Sequence, residues 1–210
     1  MRLNADDLSG SRGGQMIFSG VDFHLAAGQG LVVTGPNGSG KSTLLRILAG
    51  LLAPSAGTVR LEGGGADATM RDSSHYLGHE NAMKTALTVA ENLDFWRSFL
   101  GAHRLAIEDA LEAVGLAGMG GLPFGYLSTG QRRRAAIARL LVSHRPIWLL
   151  DEPTSGLDLN SEHMFRGLMQ DHLSQGGIVV AATHIALGLE GAGELRMGRA
   201  DVSPSSLWEA

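Results

Sequence analysis

A glycine-rich segment near the start of the chain has the residues to bind phosphate. Eight residues fit the pattern G-x-x-x-x-G-K-[ST] and a threonine follows: Gly35, Pro36, Asn37, Gly38, Ser39, Gly40, Lys41, Ser42 and Thr43. Glycines in such a loop let successive backbone N–H groups converge on phosphate oxygens at the start of a helix. We expect Lys41 to reach the β- and γ-phosphates of ATP and Ser42 to place its hydroxyl on Mg²⁺. Thr43 is expected to satisfy polar groups in the first helical turn.

Two acidic residues follow a continuous apolar run. Residues 147–150 lead directly into Asp151 and Glu152. Such an uninterrupted run is typical of a strand that is buried on both faces of a parallel sheet. We expect Asp151 to hold Mg²⁺ and Glu152 to act as the general base that polarises an attacking water. Without the phosphate-binding segment upstream, the same residues could equally be a strand followed by a solvated acidic turn.

A second phosphate contact is predicted at residues 127–131. Ser128 is a preferred N-cap residue, so the helix that begins there presents free N–H groups and a positive dipole end to an anion. Gly130 allows close approach to the backbone, although capping alone would also explain Ser128. A solitary phosphate-loop domain does not need this second contact. We therefore interpret the segment as half of a site in which two chains enclose ATP.

Hydrophobic periodicity predicts an α/β core that is interrupted by a helical region. Strands are predicted at residues 21–25, 31–34, 58–62, 75–77, 147–150 and 178–182. Helices are predicted at residues 41–51, after a capping box at residues 88–91, at residues 107–114, and from Ser128 onwards. The order of strand, phosphate-binding loop and helix, with later buried strands, predicts a parallel sheet.

Composition argues against several classes of function. The net charge is -4 and the sequence pI is about 6.0, so a nucleic-acid partner is not expected. The absence of cysteine excludes disulfides, cysteine nucleophiles and zinc–thiolate sites. No apolar run approaches the roughly 18 residues that span a bilayer. The basic triplet at residues 132–134 is expected to form a solvated face or to meet phosphate and acidic partners.

These motifs resemble those of the nucleotide-binding subunits of ABC transporters, and the resemblance covers nearly the whole chain. It implies a single domain over residues 1–210 with a P-loop NTPase core of the α/β class. It also implies an N-terminal antiparallel β subdomain and a helical subdomain at approximately residues 80–143.

The resemblance also assigns roles to residues in the second half of the chain. Ser128, Gly130 and Gln131 match the signature motif, which in this family contacts the ATP held by the opposite subunit. Asp158 matches the D-loop, and His184 matches the histidine that contacts the γ-phosphate. A homodimer in the ATP-bound state would then enclose two ATP molecules.

Two positions depart from the general family pattern. His79 stands where the family usually has a glutamine that contacts Mg²⁺ and senses the membrane subunit, and we include it in the expected nucleotide site. An imidazole can donate or accept hydrogen bonds at such a position. The aromatic residue that usually stacks on adenine is missing near the start of the chain. Either Arg12 or Phe18 could take its place.

Further segments resemble the ATPase subunits of cytochrome c maturation systems, which are haem exporters. The matching segments are residues 76–79, 84–88, 91–93, 131–134 and 145–148. The resemblance implies integral membrane partners from a cytochrome c maturation complex and a peripheral position on the cytoplasmic face of the bacterial inner membrane. Haem itself is not expected to bind this chain. The alternatives are the ATPase of another small-substrate ABC transporter and a soluble ABC-type ATPase for iron–sulfur assembly.

A group of large apolar residues follows the capping box at residues 88–91. Leu93, Phe95, Trp96 and Phe99 recur at helical spacing, which usually indicates a buried core face. In the helical region of this family, some of these side chains could instead line the groove that receives a membrane subunit's coupling helix. The sequence leaves both possibilities open.

Overall fold

The computed structural model describes residues 1–65, 68–184 and 187–198 and contains two sheets. The strands are β1 Arg2–Arg12, β2 Gln15–Ala26, β3 Gly30–Thr34, β4 Ala56–Glu62, β5 Ser74–Leu77, β6 Ile147–Asp151, β7 Ile178–Ala182 and β8 Gly193–Arg196. The helices are α1 Lys41–Leu48, α2 Met70–Ser73, α3 Val89–Leu100, α4 Ile107–Ala113, α5 Thr129–Val142 and α6 Leu159–Ser174, with a 3₁₀ turn at Phe124–Tyr126. This arrangement is the α/β architecture that the sequence predicts.

The smaller sheet is antiparallel and has the strand order β2-β1-β4. Its central strand, β1, was not predicted. The strand is polar at Asp6 and Asp7, and it bulges there, with Asp7 at a positive φ of 46°. Leu3 pairs with Leu25 on one side and with Leu61 on the other. The bulge interrupts the alternation of apolar and polar residues by which a strand is recognised in a sequence.

The larger sheet is parallel and has the strand order β5-β6-β7-β3-β8. Every residue of β6 and β7 is buried, which confirms the strands predicted from their apolar runs. Alternate side chains point to opposite layers: Leu149 packs on the side of α1, whereas Trp148 packs on the side of α5 and α6. Because the strands are parallel, their carboxyl ends lie at one edge of the sheet, where ligands bind in α/β folds.

Helices α3 and α5 begin where the sequence predicts, whereas α1 ends earlier than predicted. The capping box before α3 is present, because the Thr88 hydroxyl accepts from the Glu91 N–H at 3.2 Å and the Glu91 carboxylate accepts from the Thr88 N–H at 2.8 Å. Ser128 caps α5 in the same way. Helix α1 ends at Leu48 instead of residue 51, because Gly50 turns the chain at a positive φ of 68°.

The group of large apolar residues on α3 divides between core and surface. Leu93 is buried, whereas the side chains of Phe95 and Phe99 are exposed. Their rings stack with centroids 5.9 Å apart. In the described part of the chain, no helix combines the length and apolar character needed to cross a bilayer.

Candidate active site

The phosphate-binding segment joins β3 to α1 in a form that exposes backbone N–H groups. Gly40 precedes α1 at a φ of 97°, and no side chain caps the helix. The first N–H groups of a helix have no intrahelical acceptor, so they are available to an anion. At Gly35 a Cβ atom would lie 2.3 Å from the carbonyl oxygen of Met197, so the backbone packing there requires glycine. The Lys41 ammonium donates to the carbonyls of Gly35 at 2.8 Å and Pro36 at 3.2 Å.

A pocket of about 310 Å³ lies over this loop. Its walls include Asn37, Gly38, Gly40, Lys41, Ser42, Thr43 and Glu152, together with Arg12 and Ile17. The loop residues and the predicted general base therefore face the same space. Arg12 lines this pocket, whereas Phe18 is only 4% exposed and does not. The choice between them as the residue beside a bound base stays a prediction.

Asp151 ends β6 beside the first turn of α1. Its Oδ1 accepts a hydrogen bond from the Ser42 hydroxyl at 3.0 Å, and its Oδ2 accepts one from the Tyr76 hydroxyl at 3.3 Å. Mg²⁺ typically takes one or two carboxylates plus phosphate and water oxygens, and the Ser42–Asp151 pair fits that donor set. Within the described residues there is no group of three or more His, Asp or Glu side chains that could form a self-sufficient metal cage.

Glu152 follows Asp151 in a strained backbone conformation. Its φ is 45°, in the left-handed region, and its N–H donates to the Ala182 carbonyl at 2.8 Å. A non-glycine residue in such a conformation costs about 1–3 kcal/mol and is characteristic of functional sites. The Glu152 Oε2 atom lies 3.0 Å from His184 Nδ1. The predicted base and the predicted phosphate-contacting histidine are therefore in direct contact.

These four side chains, Ser42, Asp151, Glu152 and His184, form what we call the catalytic edge. They come from the ends of β6 and β7 and from the start of α1. The imidazole of His184 has two ring nitrogens, so it could contact Glu152 through Nδ1 and a phosphate oxygen through Nε2. The arrangement can bind a triphosphate and activate a water beside it.

The residues predicted to contact a second ATP lie outside this pocket. Ser128 is exposed, and with Gln131 it completes a capping box: Ser128 Oγ accepts from the Gln131 N–H at 3.3 Å, and Gln131 Oε1 accepts from the Ser128 N–H at 2.9 Å. A Cβ atom at Gly130 would lie 3.3 Å from the Gly156 carbonyl oxygen. Asp158 caps α6 by accepting from the Ser161 N–H at 2.8 Å, a bond that lowers the pKa of Asp158. One chain does not bring these residues to its own phosphate-binding loop.

His79 lies next to a different and larger space. It is exposed, it does not line the pocket over the phosphate-binding loop, and it lines a cavity of about 670 Å³. Trp96, Phe99, Tyr76 and Arg139 also line this space, which we call the Trp96 cavity. The sequence expectation that His79 belongs to the nucleotide site therefore remains a prediction. Phe99 is 71% exposed, so the predicted groove-lining alternative for this side chain agrees with its position.

Two residues around the catalytic edge were not recognised in the sequence as site residues. Tyr76 connects the two spaces, because it lines the Trp96 cavity and donates to Asp151. Arg139 is buried, stacks on Trp96 with its guanidinium carbon 4.6 Å from the ring centroid, and donates to the Tyr76 carbonyl at 2.7 Å. Burial lowers the pKa of Arg139 to about 10.

Arg133 corrects the expectation that residues 132–134 form a solvated face or meet phosphate and acidic partners. It is 4% exposed and donates to four backbone carbonyls. The acceptors come from two other segments of the chain, so no pattern within the triplet could have indicated this burial.

Comparison with known proteins agrees with the geometry. The family model described as ABC transporter matches residues 18–155. A cytochrome c biogenesis ATP-binding export protein CcmA from Mesorhizobium japonicum is 66% identical over 199 residues, covering 94% of this chain and 98% of the relative.

Two solved structures are similar in fold. A putative ABC transporter ATP-binding protein from Pyrococcus furiosus has a TM-score of 0.82 and 25% identity, covering 94% of this chain and 98% of the other. A bacterial Atm1-family ABC exporter with ATP bound has a TM-score of 0.75 and 26% identity, covering 88% of this chain and 34% of the other. This chain therefore belongs to the ATP-hydrolysing, ATP-binding proteins of ABC transporters, within the family of cytochrome c biogenesis ATP-binding export proteins.

Proposed function

We propose that this chain is the ATP-hydrolysing subunit of a membrane complex for cytochrome c biogenesis, acting in haem export or in the release of a haem chaperone. The relative with 66% identity carries the name of a cytochrome c biogenesis export protein. The observation that carries the catalytic part is the 3.0 Å contact between Glu152 and His184 beside the phosphate-binding loop. Haem is not expected to bind this chain, and neither is nucleic acid.

The catalytic edge has a role for each of its side chains. Lys41 and the backbone N–H groups of the loop residues after Pro36 bind the β- and γ-phosphates. Ser42 and Asp151 would hold Mg²⁺, which neutralises charge on the phosphates. Glu152 takes a proton from the attacking water, and His184 holds a γ-phosphate oxygen.

The exposed start of α5 binds the ATP of a second copy of this chain. Ser128, Gly130 and Gln131 present the positive end of the helix dipole to solvent and lie outside the chain's own phosphate pocket. Asp158 caps α6 two residues after Gly156, whose carbonyl oxygen lies close to Gly130. In a homodimer that forms on ATP binding, the start of α5 in each chain contacts the ATP bound by the other chain. Such a dimer shields both phosphate sites from water.

The integral membrane subunits of the complex dock at the Trp96 cavity. Its exposed aromatic wall suits an amphipathic helix, and His79 lies on its rim as the residue that senses the partner. The chain then sits peripherally on the cytoplasmic face of the inner membrane. We assign residues 1–210 to one nucleotide-binding domain, in which residues 80–143 form the helical subdomain that carries this docking surface.

The variant Glu152→Gln tests the catalytic assignment. The amide preserves size and ATP binding but cannot accept the proton, so ATP turnover should fall on the order of 10²–10⁴-fold and ATP-bound dimers should accumulate. Turnover is measured by phosphate release and dimers by size-exclusion chromatography with ATP and Mg²⁺.

The matched control is Glu108→Gln, which removes an exposed carboxylate on α4. Its turnover should equal that of the unmodified chain. Near-normal turnover in Glu152→Gln would remove Glu152 from the assigned role.

A further inference from the structure

Arg133 is a buried cation that is satisfied only by backbone oxygens among the described residues. It lies on α5, one turn after Ser128. Its Nη1 donates to the Gly78 carbonyl at 2.7 Å, and its Nη2 donates to the carbonyls of Asp151 at 3.2 Å and Glu152 at 2.9 Å. Its Nε donates to the Pro153 carbonyl at 3.3 Å.

Burying the charged guanidinium of Arg133 costs free energy, because the group loses its hydration. Desolvation lowers the pKa of Arg133, and the nearby charge of Asp151 opposes that shift. No carboxylate of the described residues forms an ion pair with it within 4.0 Å. A buried charge without an ion pair must be compensated by hydrogen bonds, and this guanidinium uses three nitrogens on four acceptors.

The position of two acceptors matters for the backbone at Glu152. The carbonyls of Asp151 and Glu152 belong to the two peptide groups that flank the Glu152 Cα. Their relative orientation is set by the φ and ψ angles of Glu152. Because one nitrogen of Arg133 binds both oxygens, it holds Glu152 at its φ of 45°, a backbone angle that residues other than glycine rarely adopt.

A third acceptor of the Arg133 guanidinium, the Gly78 carbonyl, lies at the Trp96 cavity. Gly78 directly precedes His79, and both line that cavity. The guanidinium is planar and presents its donors in a rigid fork, so it spans these segments at fixed distances. A lysine ammonium carries all its donors on one nitrogen, so it cannot reproduce the two separate positions from which Nη1 binds Gly78 and Nη2 binds the flanking carbonyls.

We propose that Arg133 is a positioning residue that fixes the backbone of Glu152 in its catalytic conformation and joins it to the loop at the rim of the Trp96 cavity. The proposal rests on the proposed role of Glu152 as general base. Arg133 does not line the pocket over the phosphate-binding loop. It acts on turnover through Glu152.

The test compares Arg133→Gln and Arg133→Lys with the unmodified full chain by steady-state ATP hydrolysis. We expect kcat to fall about 10–100-fold in Arg133→Gln and about 10-fold in Arg133→Lys. The KM for ATP should change less than about threefold, because the phosphate-binding loop is untouched. Arg133→Lys keeps the buried charge, so it serves as the readout if Arg133→Gln does not fold.

Arg134→Gln is the matched control. Arg134 is the next residue of α5 and also donates to two carbonyls, those of Val114 at 3.0 Å and Gly115 at 2.8 Å, away from Glu152. Its loss should lower thermal stability while leaving kcat within about twofold. An equal fall of kcat in Arg134→Gln would show that the loss of any hydrogen-bonded arginine on α5 slows turnover. That result would overturn the proposal.

A double variant separates this proposal from the role of Glu152. If Arg133 acts through Glu152, the variant carrying Glu152→Gln and Arg133→Gln should turn over as slowly as Glu152→Gln alone. A further fall of tenfold would show that Arg133 acts elsewhere. Normal kcat in Arg133→Lys, with slow turnover in Glu152→Gln, overturns only the inference. Normal turnover in Glu152→Gln overturns the proposed function itself.

Discussion

The catalytic edge and the Trp96 cavity adjoin each other but differ in how their side chains are satisfied. At the catalytic edge, polar groups pair within the chain, as in the contacts of Asp151 with Ser42 and of Glu152 with His184. In the cavity, aromatic surface is left exposed, and Phe99 is 71% exposed. Tyr76 belongs to both regions, because it lines the cavity and donates to Asp151.

In the proposed function, this difference separates chemistry from coupling. The side chains of the catalytic edge are already held in place by their neighbours. The cavity wall presents an apolar surface of the kind that marks a protein interface. Variants of one region should therefore leave the other intact, except at the residues that connect them.

The largest effect outside the catalytic edge is expected from Phe99→Asp. A charge in the aromatic wall would be desolvated on docking, so affinity for the membrane subunits should fall about 100-fold. ATP turnover of the chain without its membrane partner should stay within about twofold. Affinity is measured by titrating the chain into detergent-solubilised membrane subunits.

Phe95→Asp provides the control for Phe99→Asp. Phe95 is 56% exposed on the same helix and does not line the cavity. Its substitution should weaken docking far less. Equal losses in the two variants would mean that the exposed face of α3, and not the cavity, is the docking surface.

An intermediate effect is expected from acidification, which acts on two buried histidines, His75 and His172. Burial lowers the pKa of His75 to about 3 and that of His172 to about 4, against an ordinary value of 6.5. The unfolded chain therefore binds more protons than the folded chain below about pH 6.5. The free energy of unfolding is fully present above that pH and decreases as the pH falls towards 4, by roughly 1 kcal/mol per histidine at pH 5.5.

Urea unfolding between pH 7.5 and pH 5 measures this dependence. His172 stacks on Trp148 with centroids 4.1 Å apart, and its Nε2 lies 3.1 Å from the Pro146 carbonyl oxygen. His172→Gln keeps a donor for that carbonyl but does not titrate. It should reduce the loss of stability between pH 7.5 and pH 5.5 by about half, and an unchanged pH dependence would contradict the assignment.

The smallest effect is expected from His79→Gln. His79 lines the cavity and not the phosphate pocket, so the Kd for ATP should change less than about threefold. The variant should instead alter how strongly the membrane subunits stimulate ATP turnover. A loss of ATP binding, measured by fluorescence titration, would place His79 among the nucleotide ligands and remove the distinction between the two regions.

Sequence reasoning succeeded where the signal is local. The phosphate-binding loop, the buried strands β6 and β7, and the capping boxes at Thr88 and Ser128 each depend on residues within one short segment. It failed for β1, whose bulge at Asp6 and Asp7 interrupts the strand pattern. It also extended α1 beyond Leu48, because leucines continue the apolar pattern past Gly50.

The sequence alone determined that this protein binds and hydrolyses ATP, because phosphate binding needs particular residue types at fixed short spacings. The tertiary structure alone decided that His184 contacts Glu152, that Arg133 is buried against the backbone of Glu152, and that Phe99 faces a cavity. These contacts join segments far apart in the chain. Such distances depend on strand order and helix packing, which no local pattern encodes.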